Sequence, residues 1–234
     1  TLPDISELPR HAKSLVKRLT NLGYSSSGLH RVLGDDGLAA LDRHEPAAVS
    51  FACHRFEHQA LNEDDRSLAR AVRLLILREP KPRDVFIETF GDSFFTDALS
   101  AGVIVGEPDT DPDQFRIAID IRPLHVGPME SPDYLVFSDA DASMVDHPAD
   151  PDHVVGVGAA SRSLLQARGT SHVGSVLDLG TGSGVQIMGQ WGRAASVTAT
   201  DVSPRALLFA KATCAGAGVV STSAPRTKVD FTQG

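Results

Sequence analysis

The sequence predicts an α/β chain, with a helical N-terminal part followed by strand–turn–helix units. Three observations carry this. Leu8, Ala12, Leu15, Leu19 and Leu22 recur at helical spacing; Phe115–Ile121 (FRIAIDI) alternates apolar and polar residues; and Val176–Gly184 reads VLDLGTGSG. The first is the period of a helix face, the second that of a half-buried strand, and the third a glycine turn joining an apolar strand to a new helix.

The elements follow in order. Gly23 stops the first helix. Ser27 can cap a short helix through Val32, ended by Gly34, and Asp36 can cap another reaching Leu41. Asp64 and Asp65 precede SLARAVRLLILRE, an apolar helix stopped by Pro80, with Leu68, Val72, Leu75 and Ile76 on one face. Arg83–Thr89 and Asp92–Ala101 are two further short helices separated by Gly91. Val103–Gly106 is a β-branched run, EPDTDPDQ a turn-rich loop, and Phe115–Ile121 the next strand. Helices followed by a hairpin is the order of a winged-helix domain. Its wing tip would carry Glu107, Asp109, Asp111 and Asp113, which would repel phosphate, so a protein-docking or structural role is expected of it. Residues 123–152, rich in Pro and Asp around the strand candidate Tyr134–Phe137, read as a linker or cover strand.

Charge is unevenly placed. Residues 104–152 hold 12 Asp/Glu against 2 Lys/Arg, whereas residues 153–234 hold 3 against 7. The acidic middle segment is therefore disfavoured as a nucleic-acid contact. No 18-residue apolar run is present, so no membrane span is expected. Cys53 and Cys214 sit in no paired motif and read as reduced, buried thiols, and the N-terminal TLPDISELPRHAKS lacks a leader pattern; both point to the cytoplasm. Cys53, His54 and His58 crowd into one short stretch with no second cluster, so no metal is expected.

The chemistry lies in the C-terminal part. Val176–Leu179 is a strand, Gly180–Gly184 a glycine turn, and Val185 begins a helix. That order lets backbone approach a nucleoside ligand, because a Cβ in the turn would block either a positive φ or the ligand itself. Ser196–Thr200 is the next strand, and Asp201 ends it, 21 residues after Gly180 and close to the spacing of an acid that holds ribose hydroxyls. Pro204 then opens the helix RALLFAKATCA. Dinucleotide sites need G-x-G-x-x-G; this chain has G-x-G-x-G with an acid two residues before it, which disfavours a nicotinamide oxidoreductase.

VLDLGTGSG followed by TATDVSPRALLFAKA closely resembles class I S-adenosyl-L-methionine-dependent methyltransferases of the HemK-like group, which includes glutamine and N6-adenine methyltransferases. The resemblance spans Asp152–Val219. DHVVGVGAASRSLLQA (Asp152–Ala167) also resembles the stretch before the glycine motif in actinobacterial members, which carry a helical, winged-helix-like N-terminal domain. It implies a Rossmann-like class I methyltransferase core, incomplete in this chain, over residues 153–234, behind a winged-helix-like domain at 1–122 and an acidic linker at 123–152. It further implies that Asp178 and the Gly180–Gly184 backbone, with Gly180, Thr181, Gly182 and Gly184 among them, hold the methionine end of S-adenosyl-L-methionine, and that Leu179 is also cofactor-binding. Asp201 would bind ribose, Val202 and Ser203 would border adenine, and residues around Gly158–Ser161 would close over the cofactor.

Two departures stand out. Thr213 occupies the place where relatives often have Asn, which predicts an altered cap or packing contact. No Asn-Pro-Pro-Phe/Tyr tetrapeptide occurs before Gly234, which falls near a third strand at Lys228–Phe231. The expectation is thus part of a longer N-methyltransferase acting on an amide or exocyclic amino nitrogen of a protein, RNA or DNA substrate, with no catalytic residue assigned. The alternative is a non-catalytic winged-helix scaffold that binds a protein partner. His153 is a candidate for the substrate mouth, though a surface or capping role is the stronger expectation; Trp191 reads as helix-end packing, and Phe90, Phe94 and Phe95 as core.

Overall fold

The computed structural model describes residues 2–107, 111–128, 130–141, 150–169, 171–220 and 227–234. It is a mixed α/β structure, and among the described residues no helix is long and apolar enough to cross a membrane. Asp109 of the expected wing tip, and residues 142–149 of the expected linker, lie outside the described residues.

The N-terminal part is more helical than its periodicity suggests. α1 (Leu8–Asn21) buries the expected stripe of Leu8, Ala12, Leu15 and Leu19, with Val16 beside it. α2 (Ser26–Asp42) contains both expected short helices as two arms, broken at Gly34, whose φ of 67° and ψ of 179° no helix accommodates. Its cap is Ser25, not Ser27: the extended backbone of Ser25 lets its hydroxyl accept the Gly28 N–H at 3.0 Å, while Ser27 already lies in the first turn.

α3 (Pro46–Gln59), which the apolar spacing does not announce, buries only Val49, Ala52 and Cys53. It carries the Cys53, His54 and His58 stretch. His54 there faces the Ser50 carbonyl and Arg73, and burial pushes the Cys53 thiol up to about 12. α4 (Glu63–Leu77) is capped by Asn62, which accepts the Asp65 N–H at 2.8 Å. Asp64 and Asp65 therefore sit inside the first turn, where their charge complements the positive helix end. The helix stops before Pro80 because Arg78 turns left-handed, with φ 53°. That turn sends its guanidinium to Asp120 at 2.8 Å, both side chains 7% exposed.

β1 (Lys81–Pro82) leads into α5 (Arg83–Phe90) and α6 (Asp92–Ser100), divided at Gly91 as expected. Phe90 stacks on Phe94 at 4.6 Å and Phe95 meets Phe115 edge-on at 5.2 Å, so these rings are core. β2 (Ile104–Glu107) and β1 both pair antiparallel with β3 (Asp111–Ile117). The expected single strand Phe115–Ile121 is two: at Ala118 the chain leaves β3, and β4 (Ile119–Leu124) pairs instead with β5 (Tyr134–Asp139). β5, expected within a linker or cover strand, is buried along its whole length. The β4–β5 ribbon is packed on both sides. Ile121, Leu135 and Phe137 join the helical core, while Leu124, Tyr134 and Val136 join a second core under the C-terminal sheet.

That sheet is parallel. β6 (Val173–Leu179) and β8 (Lys228–Gln233) flank β7 (Ala194–Asp201). α7 (Ala159–Ala167) precedes β6, α8 (Val185–Gln190) joins β6 to β7, and α9 (Pro204–Val220) follows β7. α9 is apolar nearly all round because it lies between the two cores, Phe209 and Ala212 in the first and Ala210 and Ala217 in the second. It packs along α1, where a Cβ on Gly216 would fall 2.6 Å from Val16 Cγ2. Gly216→Val is accordingly expected to cost about 1–3 kcal/mol by overpacking this seam, read as a lowered midpoint in thermal unfolding.

Candidate functional site

Parallel strands bring their carboxyl ends to one side of a sheet, and ligand sites of open α/β sheets form outside those ends. Here the ends of β6 and β7 carry Asp178 and Asp201. The strands are in register, Asp178 opposite Ala199 and Leu179 opposite Thr200. The glycine loop between β6 and α8 is tied to both. Thr181 donates its N–H to the Thr200 carbonyl at 2.9 Å and its hydroxyl to Asp178 Oδ2 at 2.7 Å. Gly182 donates its N–H to Asp201 Oδ2 at 2.9 Å, and Ser203 N–H reaches Asp201 Oδ1 at 3.0 Å.

Glycine is required at two points for different reasons. Gly182 has φ 54° and nothing within 4 Å of where a Cβ would sit, so its backbone is bare toward the space in front of the sheet. Gly184, at φ 82°, would bring a Cβ to 3.2 Å from the Ala210 Cα and push the loop off α9.

Beneath the loop, Thr213 on α9 donates to the Ser183 carbonyl at 3.0 Å and accepts the Phe137 N–H at 3.2 Å. One buried hydroxyl thus joins α9, β5 and the loop. Ser203 caps α9 through the Ala206 N–H at 3.3 Å, with Pro204 at the first helical position.

A cavity of about 460 Å³ opens in front of these groups. Asp178, Leu179, Gly180, Thr181, Gly182, Asp201 and Ser203 of the expected set line it. Gly184 and Val202 do not; Gly184 is turned into α9, and Val202 is 78% exposed. Of the stretch expected to close over the site, Ala160 and Ser161 reach the cavity and Gly158 does not. His153, partly exposed, also lines it, in keeping with the less favoured of its two expected roles.

Ser183, within the expected Gly180–Gly184 backbone, lines the cavity, as do Val155 and Gln186, which sequence reasoning missed. Ser183 holds the Val155 carbonyl at 3.1 Å, and Gln186 donates to the Ser161 carbonyl at 3.0 Å. For Gln186, proximity to the GTGSG motif was the one signal available. What Ser183 and Gln186 hold lies 28 and 25 residues upstream.

The electrostatics favour a ligand with both hydroxyl and cationic groups. Each Asp201 oxygen takes one backbone N–H and keeps a second lone-pair direction, enough for two vicinal hydroxyls. Asp178 is half-buried: desolvation pushes its carboxyl above the ordinary range, the Thr181 hydroxyl draws it back, and Asp201 pushes it up again. A folded pKa above the unfolded one means that Asp178's contribution to stability is lost as pH rises through the folded value. Asp178→Asn is therefore expected to raise the thermal midpoint at neutral pH, with the gain shrinking toward acid. Unfolding scans at both pH values check this, and an equal gain at both would contradict it.

A family model described as a domain of unknown function, DUF7059, matches residues 21–116, from the end of α1 into β3 and apart from the glycine-loop cavity. No curated protein matches the chain.

Proposed function

We propose that the chain carries the cofactor-binding part of an S-adenosyl-L-methionine-dependent N-methyltransferase of the HemK-like group, built on a Rossmann-like sheet behind a winged-helix-like N-terminal part. The observation that supports this best is the pairing of the Gly182 N–H with the Asp201 carboxylate across the mouth of a glycine-loop cavity. That bond places a bare backbone turn and a ribose-type acceptor on one surface, with a second carboxylate, Asp178, a short step along it.

The cavity fits the cofactor group by group. Asp201 receives the two ribose hydroxyls. Asp178, whose ionised form is destabilised by burial, gains a cationic partner in the methionine ammonium. The bare turn at Gly180–Gly182 leaves room for the chain between them, and Ser203 stands on the adenine side. When bound, S-adenosyl-L-methionine supplies a methyl on a sulfonium whose leaving group is a neutral thioether. Little acid–base power is then asked of the protein, whose task is orientation. The acceptor is an amide or exocyclic amino nitrogen of a protein or nucleic acid.

Calorimetric titration of S-adenosylhomocysteine into the protein and into Asp201→Ala tests the reading. Binding by the first and not the second supports it. No binding by the folded wild-type chain would favour a scaffold that docks a protein partner.

A further inference from the structure

The glycine-loop cavity is lined by two stretches that are distant in sequence: residues 180–183, between β6 and α8, and residues 153–156, ahead of α7. Both are fastened to β5, a strand outside the strand–turn–helix–strand unit that carries Asp178 and Asp201. On the loop side, Phe137 N–H donates to Thr213 Oγ1 at 3.2 Å, and the Thr213 hydroxyl donates to the Ser183 carbonyl at 3.0 Å. The two ends settle the direction: Phe137 offers a proton and Ser183 lone pairs, so the hydroxyl accepts from one and gives to the other.

On the other side, Asp139 N–H donates to the Val154 carbonyl at 3.1 Å, and Val154 N–H to Asp139 Oδ2 at 2.9 Å. A Cβ on Gly156 would fall 2.4 Å from Ser138 Oγ, so this stretch lies flush on the same strand. The Ser183 hydroxyl closes the circuit by donating to the Val155 carbonyl at 3.1 Å. The ring thus begins and ends on β5, at Phe137 and Asp139.

Thr213, Ser183 and Asp139 are all buried, so water does not compete for these bonds. The bonds inside the loop do a different task. Thr181 to Thr200 and Asp178, and Gly182 to Asp201, hold the loop to its own sheet and leave its distance from residues 153–156 open. Gln186 also crosses between the two stretches, but its partner, the Ser161 carbonyl, lies on α7.

We propose that β5 sets the gap between the two stretches through this ring, and that Thr213 is a positioning residue for the cofactor. Thr213 does not line the cavity, so it acts through Ser183. Leu135 and Phe137 of β5 belong to the helical core, which gives the N-terminal part of the chain a share in holding the ligand. The proposal rests on the S-adenosyl-L-methionine reading above, and it adds a determinant of affinity outside the ligand's reach.

S-adenosylhomocysteine is titrated calorimetrically into the protein and into Thr213→Val, Thr213→Ser, Ser183→Ala and Val49→Ala, and amide exchange at Gly182 is followed in each without ligand. Thr213→Val keeps the shape and removes both bonds, Thr213→Ser keeps the hydroxyl, and Val49→Ala truncates a buried residue of α3 that none of these bonds touches. Thr213→Val is expected to weaken S-adenosylhomocysteine by about tenfold and to quicken Gly182 exchange, with both restored by Thr213→Ser and neither changed by Val49→Ala. Ser183→Ala opens the ring at its other end and is expected to weaken the ligand by about threefold or more, which keeps the test decisive if Thr213→Val does not fold. An equal loss in Val49→Ala, no rescue by Thr213→Ser, unchanged Gly182 exchange in Thr213→Val, or unchanged affinity in Ser183→Ala would each overturn the assignment. A protein that ignores S-adenosylhomocysteine, yet whose Gly182 exchange quickens in Thr213→Val and recovers in Thr213→Ser, would overturn the cofactor reading and leave Thr213 as the tie that positions the loop.

Discussion

Asp139→Ala is expected to destabilise the protein by about 3–5 kcal/mol, the scale of breaking a buried ion pair from one side. Asp139 ends β5 and is 2% exposed. Arg205 grips it through two nitrogens, Nε to Oδ2 at 2.9 Å and Nη2 to Oδ1 at 2.5 Å, and Val154 N–H adds a third bond at 2.9 Å. The same Arg205 also donates to the Pro3 carbonyl at 2.8 Å. Removing the carboxylate strands a guanidinium and a backbone donor together, just where α9, β5 and the N-terminal segment meet. Denaturant titration measures the loss. In the double variant with Arg205→Ala, part of it is expected to return, because no uncompensated charge remains. A cost below about 1 kcal/mol for the single variant would show that water reaches Arg205 freely.

The second large effect follows from the cofactor proposal. Asp201→Ala removes an ionised acceptor of two ribose hydroxyls, and hydrogen bonds to charged groups contribute about 1.5–3 kcal/mol each. S-adenosylhomocysteine affinity is expected to fall by about 100-fold or more. The substitution also takes the partner from the Gly182 N–H, so hydrogen exchange at that amide is expected to quicken even without ligand. Asp201→Asn keeps one acceptor oxygen and should fall between the two. The ligand-free exchange result separates a loop that Asp201 organises from one that merely lies near it.

How much of this was legible in the sequence depended on distance along the chain. Asp178, the glycine loop and Asp201 belong to one strand–turn–helix–strand unit, so spacing alone placed them. Most of the short-range stops at Gly23, Gly34 and Gly91 were legible for the same reason. Ser25 and Ser27 could not be told apart as caps by residue type; the backbone leaving Gly23 chose between them. α3 escaped notice because three buried residues make no stripe. The break at Ala118 was invisible because alternation continues through it, and only the change of partner from β2 to β5 reveals two strands. Val155 was equally hidden, and so were the bonds that tie it and Ser161 to Ser183 and Gln186, since these are tertiary. In the acidic middle segment the strand at Tyr134–Phe137 was legible, but not that Asp120 and Asp139 are buried ion-pair partners or that β5 joins the two cores.

The packing of α1 on α9 also has a consequence for the order of events during synthesis. Val16 leaves the ribosome long before Gly216, the residue it packs against. At ~5–20 residues per second, that interval is on the order of 10–40 s. Throughout it the apolar stripe of α1 has no permanent cover from its eventual neighbour. A nascent-chain pulse-proteolysis series should therefore find α1 cleavable until α9 has emerged. Of the helices described, the one made earliest waits longest for its partner.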